Sequence, residues 1–322
     1  MQNFHDLLQY LVEHGQYKPN RTGVGTFASV GHMLQYDLAQ ICPVPTTKKF
    51  AFKSMVGELL GFFRAYDNAA DFRALGCKIW DQNANETPAW LANPNRKGTD
   101  DLGRIYGVQW TKWRDTRFAA TRKEAKALRD KGYKLKAFDI AAFLGLSKRV
   151  PFVYERHVNQ LEEALRTLIK DPFSRRIVVS GWRPDEADLQ ALLPCHVCYQ
   201  WVLTPDGKLH GTLWQRSFDT FLAFNISTLA LFTHIMARLS GYEPGTVTMF
   251  ITDAHVYENH VDQVREQLSR DHYPAPKLVL SDRIQKVQSE EGIKGAFERI
   301  QPEDIWLEGY VSHPAIKAPM AA

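Results

Sequence analysis

Three β-rich runs in succession, RRIVVSGW, HVCYQWVL and KLHGTLWQRS, stand ahead of a long apolar helix, FNISTLALFTHIMARLSGY, and a return to strand in TVTMFITDAHVYE. That order constrains the fold more than any other feature of the chain. Strands and helices do not strictly alternate, so the pattern predicts an α+β protein with a largely buried sheet. Gly241 is placed to end the apolar helix. Upstream, MQNFHDLLQYLVEHGQ sets Phe4, Leu7, Leu8 and Leu11 on one side of a helix that should stop near Gly15. RTGVGT reads as a glycine-rich turn leading into strand-like FASVGHMLQYDL, and KSMVGELLGFFRAYD as a buried helix. HVNQLEEALRTLIKDP predicts an amphipathic helix ended by Pro172. Around residues 84–152 the character changes. NANETPAWLANPNRKGTDD is polar and loop-like and TRKEAKALRDKGYKLK is charged, which predicts a surface insertion on a single domain spanning 1–322.

Charge and cysteine usage narrow the function classes. The 322 residues carry 40 Lys and Arg against 36 Asp and Glu, a formal excess of +4. That is too little for wrapping DNA, although clustered arginines can still hold a phosphate. No apolar run approaches the ~18 residues of a membrane span. The N-terminus starts polar and is no signal peptide, so the expected location is cytoplasmic. Four cysteines make no disulfide framework. Cys195 and Cys198 form a C-x-x-C pair, but it lies inside an apolar stretch with no matching pair elsewhere. His255 and His260 have no third ligand in view, and no metal is expected.

The residues with chemistry to offer lie in a few short stretches. In LLPCHVCYQW, Cys195 follows a proline and precedes His196. A free cysteine is most often a core residue; a nucleophilic one needs cationic company, which Arg175, Arg176 and Arg216 at strand edges can supply. Adjacent arginines on a strand point to opposite faces, so one of Arg175 and Arg176 is free to reach a neighbouring surface or subunit. In QRSFD, Arg216 beside Ser217 suits bidentate phosphate binding plus one further donor, with Asp219 following. Arg21, on the glycine-bearing turn, adds a further arginine where backbone N–H groups can also face an anion. Asn225 opens the apolar helix, where an N-cap is the ordinary role. Its carboxamide also matches the O4/N3–H edge of uracil. His255 and Tyr257 alternate along a strand and so share a face, able to bond one sugar hydroxyl. Glu58 is acidic within an apolar helix, so burial should raise its pKa toward working pH.

RTGVGT, TTKK, GELLGF, IWD, DLGRIYGVQW, SRRI, LPCH, QRSFDTFL, FNIS, DAHVYENH and IKAP occur in this order over nearly the whole chain. Together they resemble the thymidylate synthase family. The resemblance implies a large mixed sheet packed by long helices, one sheet face forming a homodimer interface. It implies reductive methylation of dUMP to dTMP, with 5,10-methylenetetrahydrofolate giving the one-carbon unit and hydride. Cys195 would attack C6. Arg21, Arg216 and Ser217 would hold the 5′-phosphate, with Arg175 and Arg176 supplied by the other subunit and Asp219 nearby. Asn225 would read the base, and His255 and Tyr257 the 3′-hydroxyl. Glu58 would organise proton transfer, with Tyr106 and His196 beside it. Ile79, Trp80, Asp219, Leu222, Phe224, Met320 and Ala321 would line the folate site, and Lys48 would meet its glutamate tail. The chain departs from the family pattern before Asn225, reading L-A-F-N where G-x-P-F-N is usual, two residues shorter. Two other readings are a dUMP or dCMP 5-hydroxymethylase and an inactive nucleotide- or RNA-binding relative.

Overall fold

Apolar spacing becomes burial from the first helix onward. In the computed structural model, which describes residues 1–20 and 23–318, Gln2–His14 is helical and buries Phe4, Leu7, Leu8 and Leu11. It stops at Gly15, where a Cβ would stand 2.3 Å from the Leu11 carbonyl oxygen. The strands that follow are β1 (Gln16–Lys18) and β2 (Thr26–Asp37). Next come β3 (Trp113–Ala119), β4 (Lys134–Phe138), β5 (Phe152–Val158) and β6 (Val178–Ser180). After them are β7 (His196–Leu203), β8 (Lys208–Gln215), β9 (Phe218–Asp219) and β10 (Glu243–Tyr257). A ribbon of β11 (Lys277–Leu280) and β12 (Ile305–Glu308) lies near the C-terminus.

The main sheet runs β1-β2-β10-β8-β7-β6, with β9 beside β10. It is mixed, as the resemblance implies: β10 is parallel to β8 and β9, and the other pairs are antiparallel. Parallel neighbours need a crossover, and the helix Phe224–Ser240 supplies it, some 25 Å of rise carrying the chain back to the start of the sheet. Gly241 at φ 81° ends that helix in the left-handed region. Leu34, Met249, Leu213, Tyr199 and Val179 stand in one cross-strand row, and all are buried. Phe232 of the crossover helix packs on this face, its ring 4.6 Å from Trp201 and 5.4 Å from Tyr199. Gly211 on β8 lets the helix approach, since a Cβ there would meet Thr233 Oγ1 at 2.2 Å. The adjacent row, Met33, Phe250 and Trp214, points the other way, and these three are 49–54% exposed. The sheet of the single chain is therefore buried on one face only.

Residues 84–152 divide between two settings. Ala84, Leu102, Ile105, Tyr106 and Trp110 belong to the main core. The polar stretch expected as loop holds two short helices, Asp81–Asn85 and Pro88–Leu91, and buries Trp90, whose indole N–H donates to the Asp101 carbonyl at 2.7 Å. From Trp113 onward the chain builds a separate layer, a β3-β5-β4 sheet covered by the helix Arg122–Asp130. Its small core is Ala119, Ala125, Tyr133 and Tyr154. Thr121 and Glu124 close a reciprocal capping box at the start of that helix.

Candidate active site

Cys195 sits one residue ahead of β7, half-buried, on a loop fixed from both sides. Its N–H donates to the Tyr106 hydroxyl at 2.8 Å, and its carbonyl accepts from the Arg216 N–H at 3.1 Å. The Arg216 guanidinium donates through Nε to Pro194 O and through Nη2 to Leu193 O, both at 2.8 Å. These bonds tie a cation to the loop of the candidate nucleophile, and Nη1 has no hydrogen-bond partner among the described residues. Ser217 follows it, half-buried. Arg175 and Arg176 correct the sequence reading: they lie on an exposed turn ahead of β6, not on a strand, so strand alternation does not orient them. Neither forms an ion pair among the described residues. Arg21, Met320 and Ala321 lie outside the described residues.

Behind the cysteine is a buried polar wall. Glu58, in the helix Phe52–Phe63, is 7% exposed, and burial pushes its carboxyl up to about 8. The Trp80 indole N–H opposes that shift without closing a well-formed hydrogen bond. Tyr106 opens the helix Tyr106–Thr111 and stacks on Phe62, rings 5.1 Å apart. Gly107 makes this contact possible, since a Cβ there would stand 2.3 Å from Phe62 O. Burial and the neighbouring Cys195 hold the Tyr106 hydroxyl protonated far beyond neutral pH. His196 is buried and its imidazole is pushed down to about 4, so the ring is neutral at pH 7. It bonds Tyr199 Oη through Nδ1 at 2.9 Å, and the Asn225 side chain is its other polar neighbour, opposing the downward shift without closing a well-formed hydrogen bond. Asn225 is not the helix cap: that place is Ala223, at φ 58°, and Asn225 is the second helical residue with its amide free for polar contacts.

On β10, His255 and Tyr257 share a face as alternation requires, rings 5.5 Å apart. Asp253, two residues earlier, accepts from His255 Nδ1 at 2.8 Å and from the Lys18 ammonium, and its carboxyl is held down near 2. The sequence reading missed Asp253, although the D-x-H spacing on a strand carried the signal. Asp219 on β9 pairs in register with His255 and accepts from the Phe221 N–H at 3.0 Å. Ile79 and Phe224 are half-buried and Leu222 is exposed. Two residues assigned to folate are buried. Trp80 is buried between Phe72 and Tyr106. Lys48 is buried, its ammonium donating to Phe221 O and lying 3.3 Å from the Phe221 ring centroid, and burial pushes it down to about 7. In this conformation it is turned away from any solvent-borne glutamate.

The sequence matches the thymidylate synthase family over residues 2–322. It is similar to a protein named thymidylate synthase from Pseudomonas syringae pv. tomato, 44% identical over the full length of both chains. Proteins of the same name from Bordetella parapertussis and Pseudomonas putida are each 43% identical, again over the full length of both.

Proposed function

The chain belongs to the thymidylate synthase family, and we propose that it converts dUMP to dTMP at the site built around Cys195. The observation that carries this reading is the fixed Cys195 loop, held by Tyr106 and Arg216 beside a buried, high-pKa Glu58 and the His196–Asn225 pair. Arg216, Ser217 and Arg21 take the 5′-phosphate, and Arg175 and Arg176 come from the partner of a homodimer. Asn225 reads the uracil edge, and His255 with Tyr257 the 3′-hydroxyl. The Cys195 thiolate forms a bond to C6, and the C5=C6 electron pair moves to C5, which becomes the nucleophilic carbon. Methylenetetrahydrofolate supplies the one-carbon unit and the hydride and leaves as dihydrofolate. Ile79, Asp219, Leu222 and Phe224 offer it a mainly apolar wall, with Met320 and Ala321 completing the site. The proton on C5 departs through the Glu58 and Tyr106 wall, and the C6–sulfur bond breaks to release product. The open face bearing Met33, Trp214 and Phe250 is the homodimer interface. Residues 113–158 elaborate a single domain. Four unpaired cysteines fit a reducing cytoplasm.

The test is product analysis with dUMP and methylenetetrahydrofolate. One dihydrofolate per dUMP consumed, with a methyl-bearing nucleotide, is the expected result. Tetrahydrofolate with a hydroxymethyl product overturns it in favour of the hydroxymethylase, and absence of turnover in favour of a binding protein. Cys195→Ser should lose more than a hundredfold in rate, because a hydroxyl is too little ionised to attack C6.

A further inference from the structure

Between His196 and Cys198 the pairing of β7 with β8 slips by one residue, a bulge at Val197. Regular alternation would set His196 and Tyr199 on opposite faces of the sheet. The bulge turns His196 inward, onto the Tyr199 hydroxyl. Both side chains are buried. Tyr199 Oη has one polar partner among the described residues, His196 Nδ1 at 2.9 Å. A buried O–H must donate, so Nδ1 accepts. The neutral ring then carries its proton on Nε2, and toward Asn225, the ring's other polar neighbour, an N–H can be met only by the amide oxygen. The Asn225 amide is thereby held with Oδ1 toward His196, one Oδ1 lone pair spare and Nδ2–H available. That arrangement accepts from N3–H and donates to O4 of uracil. Cytosine requires the reverse. Turning the amide over sets Nδ2–H against Nε2–H, and moving the ring proton to Nδ1 leaves the Tyr199 O–H without an acceptor.

We propose that Tyr199 is a specificity-determining positioning residue, which selects uracil over cytosine by fixing the tautomer of His196 and, through it, the amide of Asn225. This rests on the reading of Asn225 as the base-recognising group. Tyr199 touches no reacting atom, and its effect is on which base fits.

The test has two parts, both on the full chain. Nitrogen NMR of the His196 ring in the wild-type protein should show Nε2 protonated and Nδ1 bare, and a protonated Nδ1 overturns the proposal without any variant. Tyr199→Phe keeps the ring and removes only the hydroxyl. It should yield a mixture of tautomers and reduce the ratio of kcat/KM for dUMP over dCMP, read as tritium release from C5, by about tenfold. A merely structural role would lower both rates together and leave the ratio and the tautomer unchanged, which overturns the proposal. Asn225→Asp run alongside separates the two levels. If that variant shifts base preference and Tyr199→Phe does not, the positioning role falls alone. If Asn225→Asp leaves preference unchanged, the base-reading assignment fails and takes this proposal with it.

Discussion

A carboxyl pushed up to about 8 by burial, as in Glu58, is mostly protonated at pH 7 and still able to pass its proton on. It also makes the fold weaker in alkali. Below its ordinary value of about 4.5 the group is protonated in both folded and unfolded chains and contributes nothing to the difference. As pH rises from there to about 8, the unfolded chain ionises first and stability falls. Glu58→Gln keeps the shape without the ionisation. It should nearly match wild type in thermal denaturation near pH 4.5 and exceed it by roughly 4 kcal/mol near pH 8. Its turnover should fall at least a hundredfold. This residue was legible in the sequence because one acid inside an apolar helix can hardly avoid burial. Lys48 was not: TTKK looks like exposed polar chain, and only the ring and carbonyl of Phe221, far along the sequence, take its ammonium inside.

Among elements, one buried carboxylate helps to tie the β3-β5-β4 layer to the main body. Glu186 is buried and accepts from Arg104 Nε at 2.5 Å and Gln109 Nε2 at 2.9 Å, with Arg114 Nη1 of β3 at 3.3 Å. These cations and hydrogen bonds outweigh its burial and hold its carboxyl below the usual range. The stabilisation is therefore present above the ordinary carboxylate value and is lost as pH falls through the depressed one. Glu186→Ala removes the acceptor shared by Arg104 Nε and Gln109 Nε2 and the carboxylate facing Arg114, and should cost about 3 kcal/mol in urea denaturation at pH 7. The loss should shrink as acid protonates Glu186 in the wild-type protein. Nothing in RPDEADL announced this, since Arg104, Gln109 and Arg114 come from a stretch far upstream in the chain. The longer helices and strands were readable, because period 2 and period 3.6 are local properties of the chain. Two places differed: a turn replaces the expected strand at Arg175–Arg176, so that β6 starts only at Val178, and the stretch read as polar loop and charged surface forms short helices and the β3-β5-β4 layer.

At the scale of the molecule, the face carrying Met33, Trp214 and Phe250 is an apolar surface on a protein whose other sheet face is fully covered. With Arg175 and Arg176 exposed and unpaired among the described residues, the proposed dimer makes a direct prediction. Cys195→Ala and Arg176→Ala proteins, each inactive or nearly so, should regain activity on mixing, up to about a quarter of wild type, because one site of the hybrid is intact. Labelled subunits must show exchange, and exchange without rescue counts against shared sites. By itself the sequence determined the longer elements, among them the first helix, β2, β7, β8, the crossover helix and β10, and the motifs that mark Cys195, Arg216, Asn225 and His255. All of these depend on residue type and short spacing. Only the tertiary structure decided that His196 faces Tyr199, that Lys48 and Trp80 are interior, and that Glu186 gathers three arginines. Each of those outcomes is set by a bulge, a missing Cβ or a partner from a distant segment, and the burial that results depends on packing that no local pattern encodes.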